Sequence, residues 1–111
     1  EDTVLEAGKV TKVGTGIHLE IPNEFYGKIE GRSSVAMMGI QVLGGVIDSD
    51  YRGEIIVLLA NHMNKPAFFR NGQRIAQLTI LPRYTVYVKR VDKLSESTRG
   101  EKGFGSTGKH K

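Results

Sequence analysis

Short runs of β-prone residues, punctuated by glycine, proline and asparagine, recur along this chain and limit what it can fold into. The residues that interrupt the runs include Gly14, Pro22 and the pair Asn71-Gly72. The runs alternate apolar with polar side chains or are rich in β-branched residues, a pattern typical of all-β sandwiches and barrels. The predicted strands are residues 9–13, 17–21, 26–30, 41–43, 54–61, 75–81 and 84–88.

Residues 33–38 are the one stretch whose composition suits a helical turn. Ser33 or Ser34 is expected to cap its start, and Gly39 is expected to end it. Free N–H groups at the start of a helix favour an anion, and Arg32 adds a cation at the same place. Arg32, Ser33 and Ser34 are therefore a candidate phosphate site, and the alternative is an ordinary capped turn with a solvated arginine.

Length and composition limit the assembly, the chemistry and the ligands that this chain can have. At 111 residues the chain has a small core, so packing against further copies of itself is expected, and the absence of cysteine excludes disulfides and thiolate metal sites. No apolar run is long enough to span a membrane. The net charge of +4 suits a polyanion. Because the aromatic residues do not alternate with the basic ones, we expect no nucleic-acid partner.

The domain organisation is simple, because the chain shows no internal repeat and one linker-like stretch, residues 92–105. We interpret residues 1–94 as a β domain and residues 95–111 as a flexible C-terminal arm. The three histidines have no metal-binding spacing and are expected to be surface or strand residues. They are His18, His62 and His110.

Residues 44–55 combine an apolar strand end, a tight polar turn and a second apolar strand, and they predict a β-hairpin. The adjacent Gly44 and Gly45 permit close backbone approach, so main-chain groups could recognise the edge of a flat base. Asp48 follows an apolar pair and should lie at the rim of the core, where its carboxylate can act as a general base on a water molecule. Aspartate also favours turns, and that simpler interpretation stays open for Asp48 and is favoured for Asp50.

Gln77 lies on the opposite face of its predicted strand from Ala76 and Leu78. Its amide could therefore bind a neighbour or a ligand. The alternative is a strand glutamine that faces solvent.

The last residues form a glycine-rich run that carries one arginine, one aromatic ring and two hydroxyls, a composition suited to closing over a nucleotide. Glycines let successive N–H groups converge on phosphate oxygens, the arginine adds a forked cation, and the ring could stack on a base. The alternative is a mobile chain end. The candidate contacts of this run are Arg99, Phe104, Gly105, Ser106 and Thr107.

Four segments together resemble, in order and spacing, the second to fifth motifs of trimeric dUTP pyrophosphatases, the dUTPases. The resemblance covers essentially the whole chain. It implies a jelly-roll-like (β-clip) fold, a distorted barrel with one short helix, assembled as a homotrimer. It also implies active sites at subunit interfaces, each completed by the arm of another subunit. The segments are Gly-Arg-Ser-Ser at 31–34, Gly-Val-Ile-Asp-Ser-Asp-Tyr-Arg-Gly at 45–53, Gly-Gln-Arg-Ile-Ala-Gln-Leu at 72–78 and Arg-Gly-Glu-Lys-Gly-Phe-Gly-Ser-Thr-Gly at 99–108.

The resemblance implies hydrolysis of dUTP to dUMP and pyrophosphate, which limits uracil incorporation into DNA and supplies dUMP for thymidylate synthesis. Asp48 would orient the attacking water, Tyr51 would pack beneath the deoxyribose and leave no space for a 2′-hydroxyl, and Phe104 would stack on uracil. Mg²⁺ would be carried by the triphosphate without a direct protein ligand. The other implied contacts are Arg32, Ser33, Ser34, Gln77, Arg99, Gly105, Ser106 and Thr107 with phosphates, and the backbone of Gly45, Val46, Ile47 and Ile56 with uracil and deoxyribose.

The first motif of the family, an Ala-Gly-Tyr-Asp-Leu-like stretch whose aspartate supports the water shell of the metal, is not found in these residues. Residues 1–5 resemble the strand that follows it, so we expect a longer protein in which activity and metal binding involve that stretch. Its absence keeps open a non-catalytic dUTPase-fold binding or regulatory module, and a dCTP deaminase relative is the second alternative. Cellular, phage and viral members share these motifs, so we expect a soluble protein that is intracellular or virus-associated.

Overall fold

Eight short strands and one helical turn carry the fold within residues 2–103, the part of the chain that the computed structural model describes. The all-β prediction is therefore confirmed. No helix in this range has the length and apolar character needed to cross a bilayer. The elements are Thr3–Leu5 (β1), Val10–Gly14 (β2), Phe25–Glu30 (β3), Ser33–Ala36 (α1), Ile40–Leu43 (β4), Val46–Ile47 (β5), Ile56–Asn61 (β6), Ala67–Phe69 (β7) and Gln77–Pro82 (β8).

The strands pair antiparallel in three small sheets, and in the described residues these sheets do not close into a barrel. One sheet pairs β1 with β7. The second has the order β2-β6-β4, and the third has the order β5-β3-β8. The central strands β6 and β3 are therefore hydrogen-bonded on both sides, and β3 joins the two strands that carry predicted site residues.

The core lies between the sheets and contains one residue from the helical turn. Alternation along β6 buries Val57 and Leu59, as expected for a strand with one face on the core. Burying such aliphatic side chains contributes about 1.5–3 kcal/mol each to the free energy of unfolding. The buried apolar cluster comprises Leu5, Ile29, Val35, Ile40, Ile55, Val57, Leu59 and Phe69.

Gly27, at the centre of β3, allows side chains of neighbouring segments to pack directly against the backbone of the strand. A Cβ at this position would lie 3.1 Å from Ile21 Cδ1, 3.2 Å from Leu78 Cδ1 and 3.3 Å from Ile47 Cβ. Side chains from both neighbouring strands and from the preceding loop therefore fill the space above Gly27. This packing holds β5 and β8 close to β3.

Two predicted strands are wrong. Residues 17–21 form no strand, because only one of their backbone groups makes an interstrand-type hydrogen bond: the Ile17 carbonyl accepts from the Ile55 N–H at 2.8 Å. Ile21, at the end of this segment, is buried. Residues 84–88 also form no strand. Their side chains are exposed, and no strand in the described part of the chain pairs with them.

The predicted hairpin at residues 44–55 is also wrong. Its first strand, β5, pairs with β3, whereas β6 pairs with β2 and β4 in another sheet. The segment is instead a link between two sheets, and its polar turn lies where the chain leaves one sheet for the other. The prediction failed because two apolar runs around a turn look the same whether they pair with each other or with distant strands.

The cap of the helical turn differs from the prediction. The N-cap is Arg32, with an extended backbone and no side-chain cap bond, so neither Ser33 nor Ser34 takes that role. The Arg32 carbonyl accepts from the Val35 and Ala36 N–H groups at 3.1 and 2.9 Å, which forms the turn without a hydroxyl cap.

Asn61 ties the end of β6 to two other segments from a fully buried position. Its side chain is 1% exposed and its Nδ2 donates to the Leu5 and Lys65 carbonyls, both at 2.9 Å. Its Oδ1 accepts from the Met63 N–H at 3.0 Å. The side chain therefore satisfies three backbone groups that would otherwise lack partners.

Asn61→Ala is expected to lower the free energy of unfolding by about 2–4 kcal/mol, because it leaves these backbone groups without partners in a buried place. Asn64→Ala, in the exposed part of the same turn, is the matched control and should change stability by less than about 0.5 kcal/mol. Chemical denaturation at one fixed protein concentration measures both. Equal effects of the two substitutions would contradict the structural role of Asn61.

Candidate active site

The polar turn after β5 places Asp48 at the surface. Asp48 is exposed, the next residue, Ser49, is 5% exposed, and the Tyr51 N–H donates to the Asp48 carbonyl at 3.1 Å. Arg52 Nη1 donates to the Ser49 carbonyl at 2.7 Å and so closes the turn. One backbone bond and the Arg52 side chain therefore fix the turn, and the Asp48 carboxylate lies exposed next to the buried Ser49, at the rim of the core, as the sequence predicts.

The two glycines before β5 bring its backbone unusually close to β3. Gly44 and Gly45 have φ values of +78° and +146°, which side-chain-bearing residues rarely adopt. The Gly45 carbonyl accepts from the Ile29 N–H at 2.9 Å, and a Cβ on Gly45 would lie 2.8 Å from Ile29 Cβ. Glycine is thus required at position 45 on both conformational and steric grounds.

Strand β5 is an edge strand, since within residues 2–103 it pairs only with β3. One side of the main chain at Val46 and Ile47 is therefore free to bind a ligand by backbone hydrogen bonds. Val46 is 64% exposed, and Ile56, at the start of β6, is 38% exposed. These groups are accessible, as recognition of a base through the backbone requires.

Tyr51 folds back over its own turn. The residue is 42% exposed, its ring lies against Gly53, and its hydroxyl donates to the Glu54 carbonyl at 2.7 Å. The side chain is therefore anchored at its hydroxyl and still partly open to solvent, three residues after Asp48 in the same turn.

Arg32 has a polar atom without a partner at the start of α1. Its Nε is buried and has no hydrogen-bond partner in the described part of the protein. Ser33 and Ser34 follow it and are exposed. Since buried donors are nearly always paired, this unpaired nitrogen makes Arg32 a candidate contact for an acceptor from outside the described residues.

Gln77 is not a free surface glutamine. In the β3–β8 ladder, Gln77 pairs with Glu30. Its side-chain Nε2 donates to the carbonyl of the next residue, Gly31, at 2.8 Å. This bond connects β8 to the residue that precedes Arg32. The structure thus brings the segments at 31–34 and 72–78 together, which sequence spacing alone does not reveal.

The arm is described as far as residue 103. There Arg99 Nε donates to the Lys102 carbonyl, and the Lys102 N–H donates to the Arg99 carbonyl at 3.1 Å, so this pair forms an exposed turn of its own. The structure gives no contact between this turn and Asp48. The other candidate arm residues lie outside the described residues: Phe104, Gly105, Ser106 and Thr107.

Two concavities of the described chain lie away from the Asp48 turn. One, of about 580 Å³, lies between β2 and the loop before β8 and is lined partly by Lys12, Arg70 and Arg74. The other, of about 320 Å³, is an apolar groove lined by residues that include Ile17 and Leu78. Asp48 lines neither of them and is itself exposed.

Metal-binding side chains do not cluster in this structure. Across residues 2–103 no three histidine, aspartate or glutamate side chains are placed to share an ion. His18 Nδ1 is hydrogen-bonded with the Arg52 carbonyl at 2.9 Å, and His62 Nε2 with Gln41 Oε1 at 2.7 Å. His110 lies outside the described residues.

Comparison with known proteins identifies the family. The dUTPase family model matches residues 1–108. The chain is 44% identical to a deoxyuridine 5′-triphosphate nucleotidohydrolase of Clostridium tetani over 98% of this chain and 77% of that protein. It is 46% identical to one of Paramecium bursaria Chlorella virus 1, over 97% and 77% respectively.

Solved structures agree with these sequence matches. The dUTPase of Staphylococcus bacteriophage 80alpha with dUPNHPP has a TM-score of 0.88 and 29% identity, over 97% of this chain and 81% of that one. The native EIAV dUTPase has a TM-score of 0.77 and 28% identity, over 86% and 79%. These similarities confirm the predicted jelly-roll-like fold. The chain therefore belongs to the dUTPase family.

Proposed function

We propose that the protein hydrolyses dUTP to dUMP and pyrophosphate, and so limits uracil incorporation into DNA and supplies dUMP for thymidylate synthesis. The observation that carries the proposal is the turn after β5. It presents an exposed carboxylate at Asp48, an accessible backbone edge and the exposed face of Tyr51 within six residues. The reaction needs three elements: a general base that activates water, a backbone edge that recognises uracil, and a ring that faces the sugar.

Asp48 is the proposed general base. Its carboxylate accepts a proton from a water molecule as the water oxygen attacks the α-phosphorus of dUTP. The bond between the α-phosphorus and the oxygen bridging to the β-phosphate breaks, and its electron pair leaves with pyrophosphate. The rigid turn supports this role, because a base held by the backbone needs little reorganisation to orient the water.

Substrate recognition is assigned to the backbone and to one ring. The free edge at Gly45, Val46 and Ile47 would hydrogen-bond to uracil, with a further main-chain contact from Ile56. The ring of Tyr51 would lie beneath the deoxyribose and fill the space that a 2′-hydroxyl requires. Specificity for dUTP over UTP would then come from exclusion of one oxygen atom by a fixed aromatic ring.

The phosphate-binding site is assigned to the start of α1. The unpaired Arg32 Nε supports a contact with an anion, and the exposed hydroxyls of Ser33 and Ser34 add donors. The Gln77 bond to the Gly31 carbonyl would hold this segment in place while Gln77 lies beside the phosphates. The turn of Arg99 would add a second arginine when the arm closes.

Mg²⁺ is assigned to the triphosphate without a direct protein ligand. Across residues 2–103 no three carboxylate or imidazole side chains are placed to share an ion. Bound to the triphosphate, it would neutralise phosphate charge.

The site is proposed to be shared between the chains of a homotrimer. Within the described residues, Asp48 is exposed and the arm turn makes its own hydrogen bonds, which supports completion of the site by another chain. The arm, residues 95–111, would close over the site of another subunit, placing Phe104 on uracil and adding donors from Gly105, Ser106 and Thr107. Nothing observed in the described residues favours the non-catalytic module or the deaminase.

Asp48→Asn is expected to lower kcat for dUTP by about 10²–10⁴-fold with little change in nucleotide affinity, because the amide keeps the shape of the side chain and removes the base. Pyrophosphate release gives kcat, and titration with a non-hydrolysable dUTP analogue gives affinity. Asp50→Asn is the matched control, an exposed carboxylate in the same turn that should retain nearly full activity. Unchanged turnover in Asp48→Asn would rule out the assignment.

Chains that lack residues 95–111 should fold and assemble but hydrolyse dUTP poorly, since they cannot close the site. Mixing them with Asp48→Asn chains, followed by unfolding and refolding together, should restore part of the activity. In mixed trimers a truncated chain supplies an intact Asp48, and an Asp48→Asn chain supplies the intact arm that closes over it. Steady-state pyrophosphate release measures this. A mixture no more active than the two variants apart would contradict shared sites.

A further inference from the structure

Tyr51 is held in place by two neighbours to which the proposed mechanism gives no role. Its hydroxyl donates to the Glu54 carbonyl at 2.7 Å. A Cβ at Gly53 would lie 2.5 Å from the Tyr51 hydroxyl oxygen, 2.7 Å from Cζ and 3.0 Å from Cε1. Non-bonded atoms do not approach so closely. The tyrosine ring therefore occupies the space that any side chain at position 53 would take.

The anchor of the tyrosine hydroxyl is itself fixed from another part of the chain. The Glu54 carboxylate accepts from the Gly16 N–H at 2.8 Å, and a Cβ on Gly14 would lie 2.7 Å from Glu54 Oε2. The Thr15 hydroxyl donates to the Ile55 carbonyl at 2.8 Å. The loop after β2 thus holds both the side chain of Glu54 and the main chain next to it.

We infer that Gly53 and Glu54 are positioning residues that set the sugar specificity of the site through the Tyr51 ring. The inference rests on the proposed dUTP hydrolysis, in which this ring excludes the 2′-hydroxyl. A half-exposed ring free to rotate about its side-chain bonds would move aside for one extra oxygen. Gly53 provides the surface on which the ring lies, and Glu54 provides the carbonyl that keeps its hydroxyl there.

Gly53→Ala is the direct test, because Gly53 does not have the left-handed backbone conformation that excludes alanine. The added methyl group would displace the ring and leave the turn otherwise intact. The ratio of kcat/KM for dUTP to kcat/KM for UTP is expected to fall by about tenfold or more, mainly through a gain with UTP. Thermal unfolding confirms that the variant is folded.

A double-mutant cycle separates positioning from a general structural effect. Tyr51→Ala should lower the same ratio, and Gly53→Ala added to Tyr51→Ala should lower it no further, since the ring through which Gly53 acts is gone. A further fall of similar size in the double variant would show that Gly53 acts independently of the ring and would overturn the inference.

Substitutions of Glu54 test the anchor without touching the glycine. Glu54→Gln keeps an oxygen that can accept from the Gly16 N–H and should retain the substrate ratio. Glu54→Ala loses that bond and should lower the ratio, again mainly through UTP. Equal ratios in Glu54→Ala and Glu54→Gln would contradict the role of the side chain.

The outcomes distinguish this inference from the function on which it rests. If Tyr51→Ala lowers the ratio while Gly53→Ala and Glu54→Ala leave it unchanged, the inference is wrong and the proposed role of Tyr51 stands. If Tyr51→Ala leaves the ratio unchanged, both the inference and that role are wrong. Should Gly53→Ala not fold, the Glu54 pair decides.

Discussion

Strand β3 is the element on which the rest of the candidate site depends, since it is hydrogen-bonded on both sides to strands that carry site residues. On one side the Gly45 carbonyl accepts from the Ile29 N–H at 2.9 Å. On the other, Gln77 Nε2 donates to the Gly31 carbonyl at 2.8 Å. Gly27, two residues before Ile29 on the same strand, lets side chains from both neighbours pack directly over the strand. One central strand thus holds in fixed relation the edge of β5 and the turn at Arg32, which we propose to bind the base and the phosphates.

The site that results is rigid but open. Hydrogen bonds fix the turn that carries Asp48, and the loop after β2 fixes Glu54 and through it Tyr51. At the same time Asp48 is exposed, and within the described residues the buried Arg32 Nε has no partner. A rigid surface with an unpaired cation suits a site that further segments complete, which is why we propose closure by an arm from another chain.

The sequence predicts the all-β fold class and the exposed position of Asp48, but it predicts the pairing of individual strands less well. Asp48 is exposed as predicted, because an ionised carboxylate is costly to bury. The strand predicted at 84–88 is wrong because β-propensity does not supply a hydrogen-bonding partner. The contact between Gln77 and Gly31 spans 46 residues and depends on the register of β3 with β8, which local pattern does not determine.

The central claim is that the Asp48 turn, with its backbone edge and its tyrosine, hydrolyses dUTP and distinguishes deoxyribose from ribose. The most direct test is pyrophosphate release by the protein with Mg²⁺, from dUTP and from UTP in parallel. The account predicts rapid release from dUTP and a far lower kcat/KM for UTP. No release from dUTP by folded protein that binds the nucleotide, or equal release from both substrates, would contradict it.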